Sequence, residues 1–307
     1  MADTGLETLI SEVLKEYKRY RRQRWITRVI FMLLLAGVLI YPMAQNFEME
    51  PVEHAAIVDL HGVIGLGMDA SAERVNDGLR EAFDSPNVKG VILRVNSPGG
   101  SPVQSRRINR ELVRLKAENP TIPVYVVVDE ICASGCYYAA VATNGIYADP
   151  ASLIGSIGVR MDSFGFVEAM KKIGVERRLF TAGDNKGILD PFQPLSAKDQ
   201  TFVSEMLATV HRQFVDTVRE GRGDRLAGED SELFSGLFWS GEKALELGLI
   251  DGLGDIRYVS RELIGTENTV NYTLGFDLVE QLSRDFGVIV SRFAASLRTS
   301  TGWRLEF

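Results

Sequence analysis

Two clusters of small residues stand where serine chemistry would be possible. One is NSPGGS at residues 96–101, and the other is ASG at residues 133–135. Ser134 precedes a predicted helix, and its small neighbours allow a sharp turn that leaves the hydroxyl accessible to a substrate. The amides of Gly100 and Gly135 would then bind an oxyanion, assisted by the dipole of the following helix. A serine that merely caps the helix is the competing interpretation, and this cluster alone favours it.

A serine nucleophile needs a general base, and the three histidines are poorly placed for that role. His54 and His61 precede both clusters, and His211 lies in the middle of a predicted helix. A serine–lysine pair is the leading option, and it requires a lysine that is held neutral. Lowering a lysine pKa from about 10.4 to roughly 7–8 costs about 4 kcal/mol. Spacing does not choose the lysine, although Lys186 stands out in the glycine-rich turn AGDNKGILDP.

The two cysteines, Cys132 and Cys136, flank Ser134. Two cysteines form neither a disulfide framework nor a four-cysteine zinc site, and the histidines have no ligand spacing. We therefore expect no metal and no cofactor. A disulfide between the cysteines would need Cα atoms within about 7 Å of each other across the Ser134 turn. We expect two packed free thiols instead.

The elements that must position these clusters alternate between strands and helices. Residues 56–65, 87–100 and 122–130 predict strands, and residues 71–85, 102–118 and 134–143 predict helices. Such alternation implies a largely parallel α/β sheet covered by helices. Both clusters then lie at the carboxyl ends of strands, where reactive groups collect in parallel sheets. Further strands are predicted at 144–150, 175–183 and 269–274, and further helices at 165–173, 196–220, 241–249, 255–264 and 277–297.

Residues 25–44 predict an N-terminal transmembrane helix. Arg28 is their only charged residue, and twenty residues at about 1.5 Å each span roughly 30 Å, the thickness of a bilayer core. Seven basic residues precede or enter this span, and none follows before Arg74, so the positive-inside rule places the N-terminus in the cytoplasm. A cleaved signal peptide is the alternative, but the preceding polar region is long and no clear cleavage site follows.

The part of the chain after this span is acidic. The whole chain has a formal net charge of −7, and its 45% hydrophobic content is ordinary for a globular protein. Residues 45–307 alone carry about ten more acidic than basic residues. This balance argues against nucleic acid as a partner.

Residues 55–255 resemble the signal peptide peptidase A family in four separate places. The matching segments are VILRVNSPGGS, ASGCYYAAVATNGIYADPASLIGSIGV, AGDNKGILDPFQPLS and FSGLFWSGEKALELGLIDGLGD. The resemblance implies that Ser134 is the nucleophile and Lys186 its base. It also implies that Ser156 orients the lysine and that Gly100 donates to the oxyanion. Such proteins commonly carry a second glycine where this chain has Cys136.

The resemblance further implies a fold of the crotonase and caseinolytic-protease type, built of repeated strand-strand-helix units. It implies a homo-octamer in which the lysine completes the site of a neighbouring protomer. The expected organisation is a cytoplasmic tail at 1–24, the anchor at 25–44, a linker at 45–54, a serine peptidase domain at 55–265 and an extension at 266–307.

The expected function is that of a serine endopeptidase, anchored in the bilayer through residues 25–44. It would hydrolyse remnant signal peptides and other unfolded apolar peptides on the extracytoplasmic side of a bacterial inner membrane. A crotonase-type acyl-CoA enzyme and a non-catalytic membrane scaffold are the alternatives. Export separates the chain from coenzyme A, and an intact Ser134 and Lys186 pair would serve no purpose in a scaffold.

Overall fold

The computed structural model describes residues 19, 21–33 and 53–274, in two compact units, Met1–Glu50 and Pro51–Phe307. Residues 21–33 of the first unit are helical. Within the described parts of the chain, no helix combines the length and the apolar character that crossing a membrane requires. The rest of the span predicted at 25–44, most of the predicted linker and the helix predicted at 277–297 lie outside the described residues.

The second unit is built on an eight-stranded sheet with the order β6-β5-β3-β2-β1-β8, and β4 pairs with β3 and β7. Every pairing is parallel except that of β5 with β6. The predicted α/β class with a largely parallel sheet is therefore confirmed. The strands are β1 His54–His61, β2 Val88–Ser97, β3 Val124–Ala133, β4 Gly145–Ala148, β5 Leu153–Gly155, β6 Phe238–Ser240, β7 Gly252–Leu253 and β8 Thr269–Asn271.

The helices follow the predicted order. They are α1 Ala72–Asp84, α2 Pro102–Glu118, α3 Gly135–Ala140, α4 Val167–Lys172, α5 Ala197–Arg222, α6 Asp230–Leu233, α7 Gly241–Glu246 and α8 Ile256–Tyr258, with a 3-10 turn at Gly223–Arg225 and a π-helical turn at Val259–Ile264. The prediction of a strand at 175–183 is wrong, since the structure has no strand there. Val175 and Phe180 of this segment are exposed, and no neighbouring strand pairs with it.

Alternation along the strands divides the apolar residues between two cores, one on each face of the sheet. Leu93 and Val95 of β2 belong to the larger core, which packs against α1, α2 and α3. Ile92 and Val127 belong to the smaller one, which the turn Val259–Ile264 covers. The central strands are therefore buried on both faces.

Strand β3 has two different neighbours along one edge. Its residues Tyr125–Val128 pair with β4, and its last residues, Ile131–Ala133, pair with β5. On the other edge, the pairing with β2 shifts register between Val95 and Ser97. The end of β3 thus lies between the end of β2 and the end of β5.

Residues 159–213, here called the apolar arm, contain no buried side chain although they include α4 and most of α5. Phe180 is 90% exposed and Phe164 is 76% exposed. Further exposed apolar residues of the arm are Met161, Phe166, Ile173, Val175, Phe192, Leu195, Phe202 and Met206. An apolar surface of this extent is typical of an interaction surface.

Candidate active site

Ser134 occupies the single position between the end of β3 and the start of α3. Its backbone has φ 53° and ψ −120°, a conformation that a residue with a side chain rarely adopts and that costs about 1–3 kcal/mol. The hydroxyl makes no capping hydrogen bond to α3, so the helix-cap interpretation of this serine is not supported. Ser134 is half-buried.

Main-chain hydrogen bonds hold this turn. The Ser134 amide donates to the carbonyl oxygen of Gly155 over 2.8 Å, and the Tyr138 amide donates to the Ser134 carbonyl over 3.0 Å. Gly155 is followed by Ser156, which also has a positive φ of 52° and donates its amide to the Leu237 carbonyl over 2.7 Å. The structure therefore brings Ser134 and Ser156 to adjacent strand ends.

The Gly100 amide faces the same turn. Residues on either side of Gly100 make the bridge to Ile64: the Ile64 amide donates to Gly99 over 2.9 Å, and the Ser101 amide donates to Ile64 over 2.8 Å. In a parallel bridge the Gly100 amide then points away from Ile64. A Cβ atom built on Gly135 would lie 3.2 Å from the Gly100 nitrogen, so the two backbones nearly touch.

The Gly135 amide is also available to a ligand. It belongs to the first residue of α3, where an amide has no acceptor within its own helix. The Gly100 and Gly135 nitrogens thus lie close together beside Ser134, and two amide donors in such a place can stabilise an oxyanion.

Gly99 is a site residue that the sequence analysis did not single out. Its φ is 93°, and a Cβ there would lie 2.7 Å from the Gly135 nitrogen and 2.8 Å from the Ser134 Cβ. The loop can approach the serine this closely only because the residue is glycine. The double glycine was visible in the sequence, but its contact with residues 134 and 135 depends on the pairing of β2 with β3.

The prediction of two free thiols is wrong, because Cys132 and Cys136 form a disulfide with their Cα atoms 5.2 Å apart. Both residues are fully buried. The positive φ of Ser134 turns the chain sharply, and this brings the second residue of α3 back beside the end of β3. The turn thereby satisfies the distance that a disulfide needs.

Lys186 lies in an exposed turn of the apolar arm, beside a cavity of about 360 Å³ lined by Arg177, Leu179 and residues 186–192. In the part of the chain that the structure describes, its ammonium group makes no hydrogen bond or ion pair with Ser134 or Ser156. A single chain thus assembles the serine, its two amide donors and Ser156, but does not join Lys186 to them.

None of the three histidines hydrogen-bonds to Ser134 in the described residues. The His61 Nε2 lies 3.6 Å from the Asp129 Oδ2, the His54 Nε2 lies 2.8 Å from the Tyr272 hydroxyl, and His211 contacts a carbonyl. Burial raises the pKa of Asp129 above its usual range, and the nearby Arg94 opposes that shift.

Among residues 53–274, no group of three histidine, cysteine or acidic side chains is placed to hold a metal ion.

Comparison with known proteins shows the family of the chain. The model of peptidase family S49 matches residues 116–269. A putative protease of Synechocystis is 33% identical over 229 residues, which cover 73% of this chain and 79% of that protein. A putative signal peptide peptidase SppA of Enterococcus faecium is 31% identical over 57% of this chain and 50% of its own length.

A protein of Brucella abortus named as the Na(+)/H(+) antiporter NhaA is 46% identical over 236 residues, or 75% of this chain. The matched region is 32% of that protein, so the chain spans about a third of its length. The family match covers half of the chain, and the match to the Synechocystis protein covers most of both sequences. The chain therefore belongs to peptidase family S49, as an SppA-like member of its serine peptidases.

Proposed function

We propose that the chain is a serine endopeptidase in which Ser134 is the nucleophile. The contact between the strained Ser134 turn and the Gly99–Gly100 loop carries this proposal, since it places a serine and two main-chain donors together. The Ser134 Oγ attacks the carbonyl carbon of a peptide bond, and the amides of Gly100 and Gly135 stabilise the resulting oxyanion. The leaving amine takes up a proton, and water then hydrolyses the acyl-enzyme.

Lys186 serves as the general base in this mechanism, and a neighbouring copy of the chain supplies it. Two observations support this assignment: Lys186 makes no bond to Ser134 within one chain, and it lies on the apolar arm, whose exposed aromatic residues need a partner. Packing between copies would remove water from the lysine and favour its neutral form. The assembly is a homo-oligomer, with eight protomers as in the short forms of the family.

Ser156 orients the lysine amine towards Ser134. It lies on the strand end beside Ser134, and the hydrogen bonds that the amides of Ser134 and Ser156 donate fix this position. This placement supports the role. A hydroxyl on this strand end would meet an amine that approaches from the neighbouring protomer.

The substrates are remnant signal peptides and other unfolded apolar segments. The name of the Enterococcus relative supports these substrates. The seven basic residues from Lys15 to Arg28, which precede or enter the proposed anchor at 25–44, support a place at the membrane. The N-terminus lies in the cytoplasm, and the catalytic domain lies on the extracytoplasmic side of the inner membrane. A peptide left in the bilayer after cleavage of a precursor would then be close to the site.

Two substitutions test this function. Ser134→Ala and Lys186→Ala should each abolish cleavage of a signal-peptide substrate while gel filtration shows an unchanged assembly. Ser134→Ala should also remove labelling by a fluorophosphonate. Lys198→Ala is the matched control, because Lys198 is a solvated lysine that bonds to Asn185 one residue before Lys186. Full activity in Lys186→Ala would contradict the proposed base.

A further inference from the structure

We propose that the Cys132–Cys136 disulfide is a positioning element of the active site, which holds Ser134 and the Gly135 amide in their reactive geometry. This inference rests on the proposed function of Ser134. It goes beyond that function because it assigns a role to the only two cysteines of the chain.

The location of the disulfide carries the inference. Cys132 is the second-last residue of β3, and Cys136 is the second residue of α3. The cross-link therefore closes a loop of five residues with Ser134 at its centre. The two residues that complete this loop are Ala133 and Gly135, so every backbone group of the strained turn lies inside the closed loop.

The effect of such a short loop is local. The entropy that a disulfide removes from the unfolded chain grows with the length of the loop it closes, and five residues is short. Both cysteines are also fully buried in the larger core, so their packing is secured by many other contacts. What the cross-link adds is a fixed distance across the turn at residue 134.

The turn needs this constraint because it is unfavourable by itself. Ser134 has a positive φ that persists only when its surroundings enforce it. Helix α3 has only six residues, which is too short to be stable from its own hydrogen bonds. Gly99 restrains the turn by contact, and the disulfide restrains it covalently. Without the cross-link, we expect the Ser134 Oγ and the Gly135 amide to sample positions in which they are not aligned.

Reduction should therefore lower the turnover number rather than substrate affinity. A dithiol reduces the disulfide by giving up two hydrogens, one to each cysteine sulfur, and forms its own disulfide. Misplacement of a reacting group by about 1 Å costs on the order of a hundredfold in rate. The closed loop carries the proposed nucleophile and one proposed oxyanion donor, so its misplacement should lower kcat and change KM little.

The experiment compares full-length wild type, Cys132→Ser/Cys136→Ser and Ile146→Val. Ile146 lies in the buried part of β4 and its substitution reduces core packing away from Ser134. Each protein is assayed for kcat, KM and the rate of Ser134 labelling by a fluorophosphonate, before and after incubation with dithiothreitol. Thiols are counted by alkylation under denaturing conditions, so that the reduced fraction is known.

We expect kcat and the labelling rate of the double variant to fall at least tenfold, with KM within about threefold of wild type. Reduced wild type should show the same loss, and reoxidation should restore it. Ile146→Val should lower the midpoint of thermal unfolding without this loss, and dithiothreitol should not affect the double variant further.

Three results would overturn the proposal: two alkylatable thiols in the unreduced protein, full kcat in a folded double variant, or a loss that Ile146→Val matches at equal stability. Failure of the proposed function itself is separate, because Ser134→Ala would then retain activity or labelling whatever the state of the cysteines. If the double variant does not fold, the reduced wild type alone decides between these outcomes. If the disulfide resists dithiothreitol in the folded protein, the double variant decides.

Discussion

The amide of Ser134 donates a 2.8 Å hydrogen bond to the carbonyl oxygen of Gly155. This bond continues the pairing of β3 with β5 by one step and brings Ser156, the next residue, beside Ser134. Both serines have positive φ values, 53° and 52°. One peptide group thus sets the relative position of the proposed nucleophile and the residue proposed to orient its base.

Ser156→Ala should lower kcat at least tenfold with little change in KM, because the hydroxyl is proposed to contact the base and not the substrate. Steady-state kinetics with a peptide substrate would measure the two constants. Ser240→Ala is the control, since the Ser240 hydroxyl caps α7 by accepting from the Lys243 amide. Loss of that cap should reduce stability by about 1 kcal/mol and leave kcat intact. Equal kcat values for wild type and Ser156→Ala would refute the orienting role.

Gly99→Ala should abolish most of the activity. The new methyl group would lie 2.7 Å from the Gly135 nitrogen and 2.8 Å from the Ser134 Cβ, so the turn at Ser134 must shift. We expect kcat to fall by about a hundredfold. Gly265→Ala imposes a similar backbone penalty at φ 84°, but its methyl group would meet no atom within 4 Å. A comparison of kcat with unfolding free energy for the two variants separates displacement of the site from general strain.

Co-expression of Ser134→Ala with Lys186→Ala tests whether the pair is completed between protomers. In a randomly mixed ring, about one quarter of the positions join an intact serine to an intact lysine from the neighbour, so about a quarter of wild-type activity should return. Two different affinity tags would isolate the mixed assemblies before the assay. Absence of any recovered activity in those assemblies would show that each chain must supply both residues itself.

Glu111→Gln should reduce stability in a pH-dependent way. Hydrogen bonds from Arg114, together with those from Arg80, lower the pKa of Glu111 from 4.5 to about 2 although burial opposes this. The carboxylate joins α2 to α1, since its Oε1 accepts from the Arg80 Nε over 2.7 Å. Both guanidiniums are nearly half exposed, and solvent screening leaves an expected loss of about 1 kcal/mol at pH 7.

The sign of this dependence follows from the lowered pKa. Glu111 stabilises the fold fully above its unfolded pKa near 4.5, and this contribution disappears as the pH falls towards 2. Wild type and Glu111→Gln should therefore converge in unfolding free energy over that interval, as measured by urea denaturation. A difference that stays constant from pH 7 to pH 3 would contradict the ion-pair account.

Much of the fold was accessible from the sequence because its signals are local. Buried apolar runs predicted the central strands, and helix α2 begins and ends where its sequence pattern indicated. Strands β5 and β6 have three residues each, which is too short for periodicity, and their pairing joins residues more than eighty positions apart. The strand predicted at 175–183 failed for the complementary reason, since an apolar run does not reveal whether a neighbouring strand exists.

The candidate site was predictable only in part. The small residues around Ser134 and Gly100 marked the strand ends, but the role of Gly155 depends on the β3–β5 pairing. The disulfide was missed because a spacing of four residues does not disclose the positive φ that brings the cysteines together. Lys186 came from family resemblance alone, and a lysine proposed to act on a neighbouring chain leaves no local signal.

The middle of β3 pairs with β4 and its end pairs with β5, so we expect these two parts of the strand to open separately. Residues Tyr125–Val128 lie between β2 and β4 in the middle of the sheet. Residues Ile131–Ala133 also border the end of β2, through Ser97, but their other neighbour is the short β5, which only the terminal strand β6 follows. Separation of β5 and β6 would release the Ser134 amide without unfolding the centre of the sheet. In hydrogen–deuterium exchange, the Ser134 amide should therefore exchange through a local opening that the Val126 amide does not share. The turn at Ser134 thus lies between the stable centre of the sheet and the edge formed by β5 and β6, which can open without unfolding that centre.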